Sequence, residues 1–304
     1  MGSAGVVRLD GGVSDSPYAD LDRPPLHEAA LRGALVRPGG LWRDVRVVRE
    51  TGSTNVDLAA AAQEGAPEGA VLVTEHQHAG RGRLGRAWTA PPRSGLMFSV
   101  LLRPAVPVER LGWVPLLAGV STAIAVRRMT AWSEEGDRFL PERGGRPRAD
   151  VAVDARLKWP NDLLVGERKL AGILVERIGG ALVVGIGLNV GLRADELPVP
   201  TATSLAIEGA PLSDRAPLLR AILRELETWY REWTALDGDP ESSGLRPAYK
   251  DLCATLGRRV RVELPGGETV EGTAGDIDQD GRLLITTDQG RERAVGAGDV
   301  VHVR

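Results

Sequence analysis

Four strand-like segments follow one another closely between residues 156 and 190, and this run constrains the fold more than any other feature. The segments are rich in β-branched and other apolar residues and cover 156–159, 163–165, 170–178 and 181–190. Gly166-Glu167 and Gly179-Gly180 are connections of the β-hairpin type. Strands joined by such turns lie side by side and antiparallel. The sequence therefore predicts a sheet that the other elements cover.

The rest of the first 250 residues alternates between strand and helix patterns. Strands are predicted at 45–48, 70–75 and 96–102, and helices at 26–36, 56–63, 113–126 and 216–233. Ser53, Thr54 and Asn55 are suitable N-caps for the second helix. The stretch 113–126 is nearly all apolar but too short to span a bilayer, which predicts a buried core helix. The amphipathic pattern of 216–233 predicts a helix that covers the sheet.

The pattern changes after residue 256. Short β-branched runs alternate with turns rich in Gly and Pro, at 260–264, 269–273, 283–287 and 300–303. About fifty residues of this kind are typical of a small all-β barrel. The predicted organisation is a flexible tail over 1–25, a large domain over 26–253 and a small barrel over 254–304. The charged stretch 133–150 is predicted to be a solvated insertion.

Composition excludes several classes of protein. The formal charge is −3, from 38 basic and 41 acidic residues, which argues against sequence-blind coating of nucleic acid. Cys253 is the only cysteine, so a disulfide framework is excluded and a buried structural thiol is expected. The first 25 residues lack the basic and apolar regions of a signal peptide, and no segment is apolar enough to cross a membrane. These features predict a cytoplasmic protein.

Lysine and asparagine are scarce. Of the 38 basic residues only three are lysines, Lys158, Lys169 and Lys250, and the asparagines are Asn55, Asn161 and Asn189. A chain that otherwise uses arginine for positive charge is expected to keep lysine or asparagine where the chemistry of that side chain is needed. These positions are therefore candidate functional residues.

An arginine–glycine loop lies between two predicted strands and reads Gly80-Arg81-Gly82-Arg83-Leu84-Gly85-Arg86. Three guanidinium groups this close repel one another unless anions lie between them, and the glycines let backbone N–H groups approach those anions. The pattern favours an anion-binding loop, and the alternative is a solvated arginine loop. Trp88 is either a residue that stacks on a nucleobase or a packing residue.

Two lysine segments lie one hairpin arm apart, Lys158-Trp-Pro-Asn161-Asp162 and Lys169-Leu-Ala-Gly172. Because neighbouring strands lie side by side, both lysines are expected to face one cleft. Lysine suits a phosphoryl or carboxylate oxygen, and Asp162 suits a Mg²⁺ ion that bridges phosphates. A capped hairpin with surface charges is the alternative for Lys158.

Asn189 ends a nearly all-apolar predicted strand, where a buried amide needs a hydrogen-bond partner. His76 and His78 lack a third residue at metal-ligand spacing, so ordinary polar roles are expected for them.

Taken in this order, these segments resemble biotin–protein ligases, also called biotin–[acetyl-CoA-carboxylase] ligases or holocarboxylase synthetases. The matching segments are 50–55, 75–88, 158–162, 169–176 and 185–189. The arginine–glycine loop combined with Lys-Trp-Pro-Asn-Asp is highly specific. The resemblance implies an α+β fold, in which a mixed sheet with flanking helices, related to class II aminoacyl-tRNA synthetases, is followed by a small barrel similar to Src-homology-3 domains.

The resemblance also implies an activity. Biotin and ATP with Mg²⁺ would give biotinyl-5′-AMP and pyrophosphate, and a lysine of a biotin carboxyl carrier domain of acyl-CoA carboxylase would then receive the biotinyl group. No tightly bound cofactor is implied, and the chain would be a monomer or a homodimer. Only about 44 residues precede the first predicted strand. That length is too short for the DNA-binding domain of some members, so neither repressor activity nor a nucleic acid partner is expected.

By the same resemblance, individual positions receive roles. Those implied for biotin are Ser53, Thr54, Asn55, Gln77, Gly80, Arg81, Arg83, Lys169 and Gly172. Those implied for the nucleotide are Arg81, Arg83, Arg86, Trp88, Lys158, Asn161, Lys169 and Asn189. Lys169 and Arg83 would be catalytic, and Asp162 would hold Mg²⁺. A carboxylate attacking an α-phosphate brings two anions together, which requires cations around the developing charge.

Two alternatives stay open. A lipoate or octanoate ligase or transferase shares the implied fold, but such relatives carry different motifs around the corresponding loop. A nucleic-acid-binding module would use the arginine–glycine loop, Trp88 and the barrel. It would not need the two lysine segments, and a basic barrel would be expected, whereas residues 263–280 include six acidic residues.

Overall fold

The computed structural model describes residues 23–131, 152–210, 212 and 214–303. The predicted insertion at 133–150 and all but three residues of the predicted tail at 1–25 lie outside these ranges. Two sheets organise the described chain, one of seven strands and one of five.

The seven-stranded sheet is mixed, as predicted. Its strands are β1 (Asp44–Val48), β2 (Ala70–Thr74), β3 (Gly95–Leu102), β4 (Ala155–Lys158), β5 (Asp162–Val165), β6 (Arg168–Ile178) and β7 (Ala181–Asn189). Their order across the sheet is β1-β2-β3-β7-β6-β5-β4. The β1–β2 pair is parallel and the other five pairs are antiparallel. Both predicted hairpins are confirmed, and Gly166 and Gly179 at their turns have φ of 59° and 58°.

Helices cover both faces of this sheet. They are α1 (Glu28–Leu35), α2 (Thr54–Gln63), α3 (Trp113–Thr130), α4 (Ala216–Ala235) and α5 (Leu245–Leu252). Successive strand residues point to opposite faces. Accordingly Leu101 and Val183 pack with α2, while Leu102 and Val184 belong to the main core that contains α3.

The predicted core helix is confirmed, but the prediction that 216–233 covers the sheet is wrong. Helix α3 packs on the sheet, whereas α4 packs mainly on α3. The reason lies in α3, which is apolar on nearly every side and therefore needs cover on the face turned away from the sheet. The single apolar face of α4 supplies that cover.

The predicted N-caps of α2 are only partly right. Ser53 occupies the N-cap position, but its side chain makes no capping hydrogen bond, and Thr54 and Asn55 are already helical. All three side chains are buried, with exposures of 3–4%. They line a pocket between α2 and the sheet instead of capping the helix.

The C-terminal part is all-β, as predicted. Its antiparallel strands are β8 (Arg259–Glu263), β9 (Thr269–Ile277), β10 (Leu283–Thr286), β11 (Glu292–Val295) and β12 (Asp299–His302). Strand β11 was not predicted. We call this part the C-terminal sheet; its side chains alternate between buried and exposed along β8 and most of β9.

The C-terminal sheet packs on the larger part of the protein through its β9–β10 connection. Trp113 Nε1 donates a hydrogen bond of 2.8 Å to the Gln279 carbonyl oxygen. Lys250, whose role the sequence left unexplained, forms an ion pair with Asp276, with 3.0 Å between Nζ and Oδ1. These contacts join both parts of the chain.

Cys253 is a buried structural thiol, as predicted. Burial raises its pKa, so the reactive thiolate form is disfavoured. Within the described ranges, none of the helices combines the length and the apolar character needed to cross a membrane.

Candidate active site

Two adjoining cavities lie on the α2 face of the large sheet. The inner pocket is lined by α2, β6, β7 and the arginine–glycine loop, and has a volume of about 50 Å³. The outer cavity extends from it to the C-terminal sheet and has a volume of about 690 Å³. Arg83, Trp88 and Lys169 line both cavities. These three side chains therefore lie where the two compartments meet.

Most of the site positions named from sequence line one of the two cavities. Eight of the nine positions implied for biotin line the inner pocket, and only Gly80 does not. Seven of the eight implied for the nucleotide line the outer cavity, and only Arg81, which lines the inner pocket, does not. Gly80 instead supports the loop, because a Cβ there would lie 2.4 Å from the Trp88 carbonyl oxygen.

Buried polar side chains form one end of the inner pocket. Gln77 Oε1 accepts hydrogen bonds from Thr54 N at 2.8 Å and from Thr54 Oγ1 at 3.1 Å. Asn55 Nδ2 donates to the Leu174 carbonyl oxygen at 3.3 Å and to Glu176 Oε2 at 2.8 Å. The NH₂ group of Asn55 therefore bonds to protein partners, whereas the Nε2 group of Gln77 takes no part in the contacts with Thr54.

The floor of the inner pocket consists of two facing glycines, Gly172 on β6 and Gly187 on β7. A Cβ at Gly187 would lie 2.4 Å from Trp88 Cε2, and a Cβ at Gly172 would lie 3.2 Å from Trp88 Cζ3. The indole thus lies flat on this floor, and Lys169 Nζ lies 5.8 Å from its ring centre. The remaining space holds only one or two water molecules, so a ligand of drug-like size requires Trp88 to move.

The arginine–glycine loop lies over the inner pocket, with a short 3₁₀ turn at Arg83–Gly85. Arg83 Nη1 donates to Asn161 Oδ1 at 2.8 Å, and Arg86 forms an ion pair with Asp299 of the C-terminal sheet. Arg81 has no side-chain partner in the part of the chain described by the structure. Burial lowers the pKa of Arg83, although the nearby carboxylates of Asp162 and Asp299 oppose that effect. A guanidinium stays charged at neutral pH, so this site favours an anion.

Both predicted lysines line the outer cavity, as expected, although their strands β4 and β6 are not neighbours and β5 lies between them. Lys169 Nζ lies 2.7 Å from Asp162 Oδ1. The backbone of Lys169 is fixed by segment 201–203, through Lys169 N to the Thr201 oxygen at 2.7 Å and Thr203 N to the Lys169 oxygen at 2.9 Å. Lys158 makes no ion pair or hydrogen bond with its side chain in the described ranges. It is therefore available to a ligand.

The buried amide of Asn189 has the partner that the sequence required, since its Nδ2 donates to the Thr203 carbonyl oxygen at 2.9 Å. His302 of β12 also lines the outer cavity, and no sequence signal marked it. Its Nε2 lies 3.1 Å from Thr255 Oγ1. Burial, and then the nearby Lys158, lower the pKa of His302 and favour its neutral form.

Trp159 anchors the Lys158–Asp162 segment to the C-terminal sheet. It is 1% exposed, its Nε1 donates to the Gly281 carbonyl oxygen at 3.0 Å, and its backbone N donates to Thr255 Oγ1 at 3.1 Å. The residues that face the outer cavity directly precede and follow this anchor. The C-terminal sheet therefore helps to fix the position of cavity-lining residues that belong to the large sheet.

We expect Trp159→Phe to lower the free energy of unfolding by about 1–3 kcal/mol, because the buried Gly281 carbonyl loses its donor. Chemical denaturation measures this change. The matched control is Trp229→Phe, a half-buried tryptophan of α4. Equal effects in the two variants would show that ring size alone, and not the hydrogen bond to Gly281, accounts for the loss.

The site can bring together an organic acid and a phosphate ester. Four cations and three carboxylates line the outer cavity: Arg83, Arg86, Lys158 and Lys169 with Asp162, Glu167 and Asp299. Such a set stabilises negative charge that develops between two anionic reactants. In the described ranges no three His, Cys, Asp or Glu residues form a group able to hold a metal, and His76 and His78 belong to no such group.

Two family profiles match the chain. The Biotin/lipoate A/B protein ligase family matches residues 47–192, and the Biotin protein ligase C terminal domain matches residues 255–303. The biotin–[acetyl-CoA-carboxylase] ligase of Mycobacterium tuberculosis is 43% identical over 284 residues, which cover 93% of this chain and 97% of that protein. The bifunctional ligase/repressor BirA of Bacillus spizizenii is 29% identical over 253 residues, which cover 81% of this chain and 70% of that protein.

The fold agrees with these matches. A biotin protein ligase from Aquifex aeolicus, solved in complex with biotin and ATP, superimposes with a TM-score of 0.67 and 26% identity. The superposition covers 86% of this chain and all of that structure. From the two profiles, the extended identity and the shared fold, it follows that the chain belongs to the biotin protein ligase family.

Proposed function

We propose that this chain is an ATP-dependent biotin–protein ligase. It activates biotin to biotinyl-5′-AMP with release of pyrophosphate, and then transfers the biotinyl group to a lysine of a biotin carboxyl carrier domain of an acyl-CoA carboxylase. The position of Lys169 carries the proposal, since it lines both cavities and pairs with Asp162. A cation at this junction lies where an acid in one compartment meets a phosphate in the other.

In this proposal the inner pocket takes biotin. Ser53, Thr54 and Gln77 contact the bicyclic head group, and Asn55, whose amide already has protein partners, supports Thr54 through Ser99. The acyl chain follows the floor past Gly172 towards Lys169. Gly80, Arg81 and Arg83 cover the ligand from the loop, and the side chain of Arg81, unlike those of Arg83 and Arg86, has no protein partner within the described ranges.

The outer cavity takes ATP. Its volume of about 690 Å³ lies within the range of ligand pockets, whereas the inner pocket does not in this conformation. Lys158, Arg86 and Asn161 contact the phosphates. Once the indole of Trp88 has moved off the glycine floor, it contacts the adenine. Asn189 supports the segment 201–203 that fixes Lys169.

The chemistry follows from these positions. An oxygen of the biotin carboxylate forms a bond to the α-phosphorus, and the bond from that phosphorus to the pyrophosphate oxygen breaks. Lys169 and Arg83 stabilise the charge that develops on the α-phosphoryl oxygens. The acceptor amine then attacks the acyl carbon, an amide forms and AMP leaves. The loop protects the reactive mixed anhydride from water until the acceptor arrives.

Asp162 is our candidate for holding Mg²⁺. This ion is commonly bound by one or two protein carboxylates together with substrate phosphates, which fits a carboxylate such as Asp162 in the outer cavity. The bound ion would neutralise phosphate charge. Lys169 Nζ, at 2.7 Å from Asp162 Oδ1, orients the carboxylate.

Exchange of pyrophosphate into ATP tests the proposal, with biotin, lipoate and octanoate assayed in parallel. We expect exchange with biotin alone, because only biotin offers a cyclic urea to the polar end of the inner pocket. Exchange with lipoate or octanoate instead would favour the alternative ligase, and exchange with none of the three acids would refute an acid-activating function.

We further propose that the protein acts in the cytoplasm as a monomer or homodimer, has no nucleic acid partner, and is organised as a tail (1–25), a catalytic domain (26–253) and a small barrel (254–304). The two sheets on either side of residue 253 support that division. Specific retardation of a biotin-operon operator by the purified protein would refute the absence of a nucleic acid partner.

A further inference from the structure

We propose that Ser99 and Glu176 form a buried hydrogen-bond relay with Asn55 and Thr54 that fixes which atoms of the inner pocket donate and which accept hydrogen bonds. This proposal deepens the proposed function, on which it rests, by identifying positioning residues for the biotin head group. None of the four was expected from sequence to act in this way, and Ser99 was not among the candidate residues.

Glu176 fixes the orientation of the Asn55 side-chain amide. The Nδ2 group of Asn55 faces Glu176 Oε2 at 2.8 Å and the Leu174 carbonyl oxygen at 3.3 Å, and both of these atoms can only accept. The NH₂ end of the Asn55 amide must therefore point towards β6. Its Oδ1 points towards β3 and lies over Gly185, where a Cβ would come within 2.0 Å of it.

Ser99 links the oriented amide of Asn55 to the hydroxyl of Thr54. Its Oγ lies 2.6 Å from Asn55 Oδ1, which has no proton, so the Ser99 hydroxyl must be the donor in this contact. The same Oγ lies 2.7 Å from Thr54 Oγ1. Ser99 is completely buried, so no water substitutes for either partner. The Ser99 proton is thus committed to Asn55.

These hydrogen bonds determine what the Thr54 hydroxyl can offer a ligand. Its single hydroxyl proton has two acceptors inside the protein, Ser99 Oγ at 2.7 Å and Gln77 Oε1 at 3.1 Å. Whichever acceptor takes that proton, Thr54 can offer a ligand only a lone pair. Gln77 Oε1 also accepts the Thr54 backbone N–H at 2.8 Å, so the oxygen is held against Thr54 and Nε2 supplies the N–H groups that Gln77 can offer a ligand.

The pocket therefore presents one acceptor and one donor side by side. The complementary ligand carries an N–H group next to a carbonyl oxygen, which is the arrangement of a cyclic urea. A carboxylate or a dithiolane ring lacks that pair. The relay fixes this preference. If the Ser99 or Thr54 hydroxyl or the Asn55 amide rotated, a buried polar atom would lose its hydrogen-bond partner.

The test measures KM for biotin and KM for ATP in pyrophosphate exchange by Ser99→Ala. We expect KM for biotin to rise about ten- to hundredfold, the effect of one buried polar group left without its partner, while KM for ATP stays within twofold. The inhibition constant of desthiobiotin, which keeps the urea ring, is expected to rise by the same factor. The matched control is Ser121→Ala, a fully buried serine of α3 whose hydroxyl bonds to the Leu117 oxygen.

Glu176 supplies a second, independent pair of variants. Glu176→Met removes the acceptor and is expected to raise KM for biotin about tenfold, whereas Glu176→Gln keeps an acceptor oxygen and is expected to restore most of the affinity. An unchanged biotin KM in Ser99→Ala, or an equal rise in both KM values, would overturn the relay. Absence of biotin-dependent exchange in the unmodified protein would instead refute the proposed function.

Discussion

Lys169→Ala is expected to reduce biotin-dependent pyrophosphate exchange by about a hundred- to a thousandfold. One preorganised group that stabilises the developing charge contributes about that factor, and Lys169 lies at the junction of the two cavities. Its side chain is 36% exposed, so its removal opens no core cavity. Initial exchange rates at saturating biotin and ATP measure the loss.

The control for this variant is Lys250→Ala, which also removes a lysine that is paired with an aspartate, at 3.0 Å from Asp276, but away from the cavities. We expect normal exchange rates in this control and native circular dichroism in both variants. Full exchange activity in Lys169→Ala would remove this lysine from the mechanism, whatever the affinity for biotin.

Gly187→Val is expected to weaken biotin binding by about a hundredfold, at the upper end of the effect of overpacking a close-packed site. A Cβ at this position would lie 2.4–2.8 Å from three ring atoms of Trp88. A ligand that replaces the indole on this floor meets the same obstruction, because Gly187 and its pair Gly172 on the neighbouring strand form that floor. Calorimetric titration with biotin measures the effect directly.

Gly180→Ala is the matched control, since it changes a glycine near the opposite end of the same strand, where a Cβ would meet nothing within 4 Å. We expect unchanged biotin affinity in this control. If Gly187→Val bound biotin normally, the glycine floor would not be part of the ligand site and the inner pocket would have to be reassigned.

The elements predicted best from sequence are those bounded by tight turns. Strands β5 to β7 end within two residues of their predicted limits, because the turn glycines Gly166 and Gly179 leave little freedom in register. Helix α5 was missed although Leu245, Tyr249 and Leu252 follow helical spacing, because eight residues that include a proline are too few for this pattern to stand out. Strand β11 was missed because three of its four residues are exposed.

Within the site, too, contacts between residues close in the sequence were easier to predict than contacts between distant ones. The pairing of Lys169 with Asp162 was predictable, because both residues lie on adjacent arms of one hairpin. The contact of Arg86 with Asp299 was not, because 213 positions separate them and no local pattern links a loop to a distant strand. The hydroxyl of Ser99 was missed for a related reason, since a small polar residue in an apolar strand carries no sign of its partner.

The buried Cys253 also makes this protein suitable for fluorescent labelling. It is the only cysteine in the sequence, and its thiol is shielded in the folded protein. Leu84, at the tip of the arginine–glycine loop, is 66% exposed. A Leu84→Cys variant would therefore accept a maleimide dye at that one position, and the emission of the dye would report opening and closing of the loop in real time during each half-reaction.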